Sequence, residues 1–146
     1  MKKLLFSALA IAALAVTATA FADDIAIDAQ KLPVTAQKFL KDNFAKSKVA
    51  LATHDRDVTD NDYTVVLDNG TKVEFDHAGK WESVKSRGAA IPAAIIPVKI
   101  AKYVQKNYPA YAIEKIERKR YGFEVELSND IDMKFSHDGS FIGLDD

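Results

Sequence analysis

The chain holds three histidines, and two of them recur in one local pattern: Phe75-Asp76-His77-Ala78-Gly79 and Phe135-Ser136-His137-Asp138-Gly139. The third, His54, opens the most acidic stretch, HDRDVTDND, over 54–62. Imidazoles beside carboxylates could hold a metal ion. Zinc asks for three or four ligands converging at about 2.0–2.3 Å. His77 and His137 sit in like positions of separate segments and should lie apart, each as a polar residue of a Gly-closed turn. The 54–62 run could offer oxygens to calcium, but an EF-hand needs a third acidic ligand, a glycine and a terminal Glu. Asp55 and Asp57 fit its start; Thr59 and Asp60 supply neither the third ligand nor the glycine, and Val66 stands where the Glu should be. A solvated loop is expected, with partner contact as its functional role. Nucleophilic catalysis has no footing. No Cys is present, no Ser lies in a nucleophile-elbow motif, and neighbours such as Ser136 and His137 point to opposite sides of a strand. No catalytic residue, metal or cofactor is therefore expected.

Such side chains must be carried by something, and the carrier is written twice. LPVTAQKFLKDNF (32–44) aligns with IPVKIAKYVQKNY (96–108), apolar at offsets 0, 4, 7, 8 and 12, which is one face of a helix. Pro33 and Pro97 mark the helix starts, and Asn43 and Asn107 their ends. YTVVLDNGTKVEFDHAGKW (63–81) aligns with FEVELSNDIDMKFSHDGSF (123–141) at an offset of 60, four less than between the helices. The first copy thus carries a longer loop, the 54–62 run. Alternation predicts strands with Tyr63, Val65, Leu67, Val73, Phe75, Phe123, Val125, Leu127, Met133 and Phe135 facing inward. Asn69-Gly70 predicts a type I′ hairpin, with Asn129-Asp130 a weaker version. Further strands are expected near 48–55 and 112–120.

The predicted fold is α+β: two tandem repeats, each one helix followed by an antiparallel meander of about four strands. The helices pack on one sheet face. Residues 23–86 and 87–146 form the two repeats, side by side, with a core they could share and sheets they could join. The other face stays open, and alternation assigns to it Thr64, Val66, Lys72, Glu74, Glu124, Glu126, Asp132 and Lys134. Lys115, Arg118, Lys119 and Arg120 add a basic cluster on the preceding strand. Interleaved charges suit a solvated sheet face. They equally suit a platform whose charges select a partner protein, and these eight residues are the candidate partner-binding face.

Leu32-Pro33, Phe44, Asn69-Gly70, Val73-Glu74-Phe75, Gly79 and Trp81 form an ordered pattern, echoed by Ile96-Pro97, Tyr108, Asn129, Met133-Lys134-Phe135, Gly139 and Phe141. In this the chain resembles the PepSY-like family, also described as beta-lactamase-inhibitor-like, over about residues 30–146. The resemblance implies a secreted or periplasmic protein with tandem repeats and no catalytic apparatus, of a kind that binds or restrains other proteins, peptidases among them. Two departures stand out. Asp130 replaces the family's glycine, which should distort the second hairpin, and the disulfides of beta-lactamase inhibitor proteins have no counterpart here.

At the N-terminus, Lys2 and Lys3, the uncharged apolar run Leu4–Val16 and Ala20-Phe21-Ala22 read as a secretory signal peptide over 1–22, cleaved after Ala22. Its loss takes two lysines from 20 basic residues set against 21 acidic ones, leaving a net charge of −3. So mildly acidic a chain is not expected to bind nucleic acid, nor to span a membrane once cleaved. The expectation is an exported, non-enzymatic protein-binding module, periplasmic or secreted, whose partner is another envelope or secreted protein that it inhibits or modulates. The alternative is a periplasmic small-ligand or divalent-cation sensor using His77, His137 or the 54–62 loop.

Overall fold

The computed structural model describes residues 24–57 and 59–145, so the expected signal peptide lies outside the described residues. Nine strands form one sheet: β1 (Asp24–Ala26), β2 (Val49–Asp55), β3 (Tyr63–Leu67), β4 (Lys72–Phe75), β5 (Trp81–Lys85), β6 (Ile113–Lys119), β7 (Gly122–Leu127), β8 (Asp132–Ser136) and β9 (Phe141–Asp145). Helix α1 (Val34–Asn43) lies between β1 and β2 in the chain, and α2 (Val98–Asn107) between β5 and β6. The sheet follows chain order from β1 to β9, and every pair is antiparallel. Among the described residues no helix is long and apolar enough to cross a membrane.

This corrects the expected α+β pair of helix-plus-meander repeats. The described residues are mostly β, a single antiparallel sheet with two ten-residue α-helices. The deciding contact is between β5 and β6, which pair directly through Ser83↔Glu117, Val84↔Ile116 and Lys85↔Lys115. The sheet therefore runs without a break from residues 23–86 into residues 87–146. One core cluster extends from Leu32, Ala36 and Leu40 through Val65, Phe75, Val84, Ile100 and Ile116 to Val125, Met133 and Phe135.

Local chemistry explains the elements. Each helix begins just after a proline, Pro33 or Pro97, whose ring fixes φ near the helical value. Each ends on an asparagine whose side chain donates to the carbonyl four residues back, Asn43 to Phe39 and Asn107 to Tyr103, both at 2.9 Å. The β3–β4 hairpin differs from the predicted type I′ turn. Only Gly70 has positive φ (+85°), and Gly70 N–H donates to Leu67 C=O while Leu67 N–H donates to Thr71 C=O. That is the three-residue loop closed by one left-handed residue. The β7–β8 turn is not distorted by Asp130: Asp130 adopts φ +64° and makes the equivalent 2.9 Å bond to Leu127 C=O. Aspartate tolerates the left-handed region better than most residues.

Candidate functional site

Helices cover one face of the sheet, and the other carries its charges. In β3, β4, β7 and β8 buried and half-buried residues alternate along the facing positions. The half-buried set contains all eight candidate residues: Thr64, Val66, Lys72, Glu74, Glu124, Glu126, Asp132 and Lys134. Directly opposed residues share a face, so the register gives their arrangement. Thr64 faces Glu74 and Val66 faces Lys72, while Glu124 faces Lys134 and Glu126 faces Asp132. Two strands, β5 and β6, separate the first four from the last four. They contribute Ser83, Lys85, Lys115 and Glu117, which close the gap. One row across the sheet then reads Lys72, Lys85, Lys115, Glu126, Asp132, Asp145; the next reads Thr64, Glu74, Ser83, Glu117, Glu124, Lys134.

Three lysines stand side by side in the first row, followed by three carboxylates. Three ion pairs link the rows, Lys72–Glu74 at 2.5 Å, Lys115–Glu117 at 2.9 Å and Lys134–Asp145 at 2.6 Å; Lys85–Glu126 at 3.6 Å lies within the first row, and Lys119 reaches Glu117 at 3.0 Å from beyond the second. Burial acts to raise the Glu117 carboxyl, but hydrogen bonds from Lys115 and Lys119 outweigh it and hold the group below its ordinary value. Tyr121 donates to Glu124 at 3.0 Å, and burial together with that bond pushes its phenol up to about 12.

The acidic loop folds against the first part of this face. A hollow of about 340 Å³ is lined by Asp24, Asp55, Asp60, Asp62, Thr64, Lys72, Glu74 and Glu82. It joins two sets of residues singled out separately in the sequence, the 54–62 loop and Thr64, Lys72 and Glu74. Burial, then the charges of Asp60, Asp76 and Asp55, raises the Asp62 carboxyl above its ordinary value. Burial, then Asp62, Asp76 and Glu74, does the same to Glu82. Even so, among the described residues no group of three or more His, Asp or Glu side chains could hold a metal ion as it stands.

The histidines do not converge. His54 stacks on Tyr63, ring centroids 4.3 Å apart, with Nε2 at 2.6 Å from Asn61 Oδ1. His77 is exposed, and exposed His137 places Nε2 at 2.8 Å from Arg120 C=O. In the latter turn the carboxylate holds the loop together: Asp138 bonds Ser136 and Ser140 and sits well below the usual carboxylate range.

Sequence reasoning missed Asp24 and Glu82. Asp24 belongs to a three-residue strand, too short to show a period. Glu82 sits at a bulge, where β4–β5 register slips between Glu74 and Phe75, and the alternation that would have placed it breaks. The expected basic cluster is also divided. Arg118 lies on the helix-covered side, its guanidinium 4.1 Å from the Trp81 ring and 5.8 Å from that of Phe123, and burial lowers its pKa.

Both the sequence and the fold have counterparts among known proteins. The family described as "Putative beta-lactamase-inhibitor-like, PepSY-like" matches residues 61–143. A Bacteroides thetaiotaomicron protein described as a "putative calcium-regulated periplasmic protein" is 44% identical, with a TM-score of 0.81 over 85% of this chain and 98% of its own. A protein from Bacteroides vulgatus ATCC 8482 described as a "putative periplasmic protein" is 42% identical, with a TM-score of 0.79 over 86% of this chain and 98% of its own. A second from that organism, of unknown function, is 34% identical, with a TM-score of 0.80 over 84% and 99%. No curated protein matches the chain.

Proposed function

The chain belongs to the PepSY-like, beta-lactamase-inhibitor-like family, and on that premise we propose that it is an exported, non-enzymatic binding module that meets a partner protein through its open sheet face. One observation carries the reading: two charge-patterned rows span β3 to β8 on the face that neither helix covers. The first row, segregated into a lysine block and a carboxylate block, can match one partner and repel others. The periplasmic relatives and the leader-like residues 1–22 support the location. Inhibition of a peptidase or of a beta-lactamase does not follow from the fold alone.

The test is site-specific photo-crosslinking in the intact envelope. A crosslinker at Val66, on the open face, is expected to give a discrete adduct; one at Lys102, on α2, is not. Glu124→Lys with Glu126→Lys should reduce the adduct about tenfold or more, as expected for reversing charges at an interface. Equal labelling from both positions, or indifference to the charge reversals, overturns the reading.

A second reading is favoured by the acidic hollow. Six of its eight lining residues are Asp or Glu, and the similar Bacteroides thetaiotaomicron protein is described as calcium-regulated. Calcium would draw the loop carboxylates inward and offset their repulsion. The expected result at pH 7 is a Tm raised by about 5 °C or more at a hundredfold excess over Kd. The rise should shrink in Asp62→Asn/Glu82→Gln. The pH sign follows from the raised carboxyls: folding without calcium carries their repulsion above their folded pKa values and sheds it as pH falls through them. Calcium should therefore help less at acid pH. An unchanged Tm in calcium rules this reading out.

A further inference from the structure

Strands β5 and β9 occupy corresponding local settings, yet among the described residues only β5 has a neighbour on its far side. Both follow a turn containing a positive-φ glycine, Gly79 or Gly139, and both pair with the preceding strand through a register slip at the same place, Glu74/Phe75 and Lys134/Phe135. The far edge of β5 receives β6. The far edge of β9 receives nothing in the nine-stranded order. The consequence is visible residue by residue: Val84 is 0% exposed and its counterpart Leu144 is 52%; Trp81 is 9% and Phe141 is 38%. Where β5 carries the charged Glu82, β9 carries Ile142, apolar and 55% exposed.

Edge strands are usually guarded by lysine, proline, bulges or shortness. Strand β9 runs five residues, FIGLD, with neither Lys nor Pro. Its bulge gives no protection, because the matching bulge in β5 coexists with full pairing to β6. The opposite edge of the sheet is different, since β1 has only three residues.

We propose that the outer edge of β9 is a docking strand that takes up an extended basic–apolar segment of a partner protein, added antiparallel as β6 is added to β5. The chemistry of the occupant is set by what lies opposite. In the internal pair, Ile116 faces Val84 and Lys115 faces Lys85. On β9 the corresponding residues are Leu144 and Asp145. An apolar residue is therefore required beside Leu144 and a cation beside Asp145. The acidic end of the charged row reinforces this: Glu126, Asp132 and Asp145 stand in succession on β7, β8 and β9. Burial, then the charges of Glu126 and Glu124, raises the Asp132 carboxyl, and Lys134 reaches Asp145 at 2.6 Å. Main-chain bonds would supply affinity, and the alternate side chains selectivity. A second copy of this chain fits less well, because antiparallel pairing of two β9 strands with Leu144 against Leu144 sets Asp145 against Gly143 and supplies no cation.

The probe is a peptide of residues 112–120, AIEKIERKR, which is the sequence that satisfies the same edge on β5. Titrated into the isotope-labelled protein, it should shift the Ile142–Asp145 amide resonances saturably and slow their hydrogen exchange. Leu144→Lys with Ile142→Lys, both exposed positions, should weaken binding about tenfold or more while leaving the circular dichroism unchanged. Replacing the peptide's Lys and Arg by Glu should do likewise. No shift at β9 with about 1 mM peptide overturns the proposal. So do shifts confined to the open face, and so does dimerisation through β9 in the absence of peptide, which would make a second copy the occupant. Ile142 and Leu144 lie outside the eight open-face residues, so Leu144→Lys with Ile142→Lys tests this edge without changing that face.

Discussion

Gly122→Ala is expected to cost about 3 kcal/mol or more of folding stability, read as a lowered urea midpoint. Gly122 opens β7 with φ +145°, a conformation that side-chain-bearing residues rarely adopt. More decisively, a Cβ there would lie 2.2 Å from Phe135 C=O and 2.4 Å from the Ser136 carbonyl carbon. Those atoms are backbone of the paired strand, so relief requires β7 and β8 to move apart. The register makes the contact plain, since Gly122 stands opposite Ser136. Two other glycines give the scale. Gly70→Ala meets open space and should cost only the positive-φ penalty, about 1 kcal/mol; Gly143→Ala has neither obstacle and should be near neutral. A Gly122→Ala midpoint equal to that of Gly143→Ala would refute the close approach.

Ile116→Ala is expected to destabilise by about 2–5 kcal/mol. Ile116 is fully buried at the centre of the sheet, opposite Val84 on β5 and Val125 on β7. Truncation leaves a cavity at the seam where the two sequence-related segments join. The chain has one tryptophan, Trp81, on β5. Its fluorescence thus watches the first segment while the mutation sits in the second. If the single sheet unfolds as one unit, the Trp81 transition and the far-ultraviolet circular dichroism shift together in Ile116→Ala. A Trp81 midpoint that stays at the wild-type value would mean the two segments melt independently.

Much of the local structure was legible in the sequence because local rules produce it. Pro33 and Asn43 bracket α1, and Pro97 and Asn107 bracket α2, through dihedral restriction and side-chain bonds that need no distant partner. The inward residues of β3, β4, β7 and β8 follow from a period of two. What was not legible depends on contacts between distant parts. Pairing of β5 with β6 spans the linker and α2, and no periodicity announces it. Arg118, half-buried, alternates as a charged outward residue should not, because the Trp81 ring offers its cation a face on the helix-covered side. The acidic hollow needed the loop to fold over Thr64 and Glu74, and it needed Asp24 to arrive from β1.

The sheet order also governs how the chain can be put together. Every strand lies beside the one before it in sequence, from β1 to β9. A strand thus finds its first partner in chain that already exists, and no pairing waits for the C-terminus. Short separations of this kind favour fast folding, since little loop entropy is spent before contacts form. With no cysteine to oxidise, no bond has to be made or exchanged afterwards. A polypeptide emerging N-terminus first can add the described strands one by one in chain order, each closing on the strand already in place.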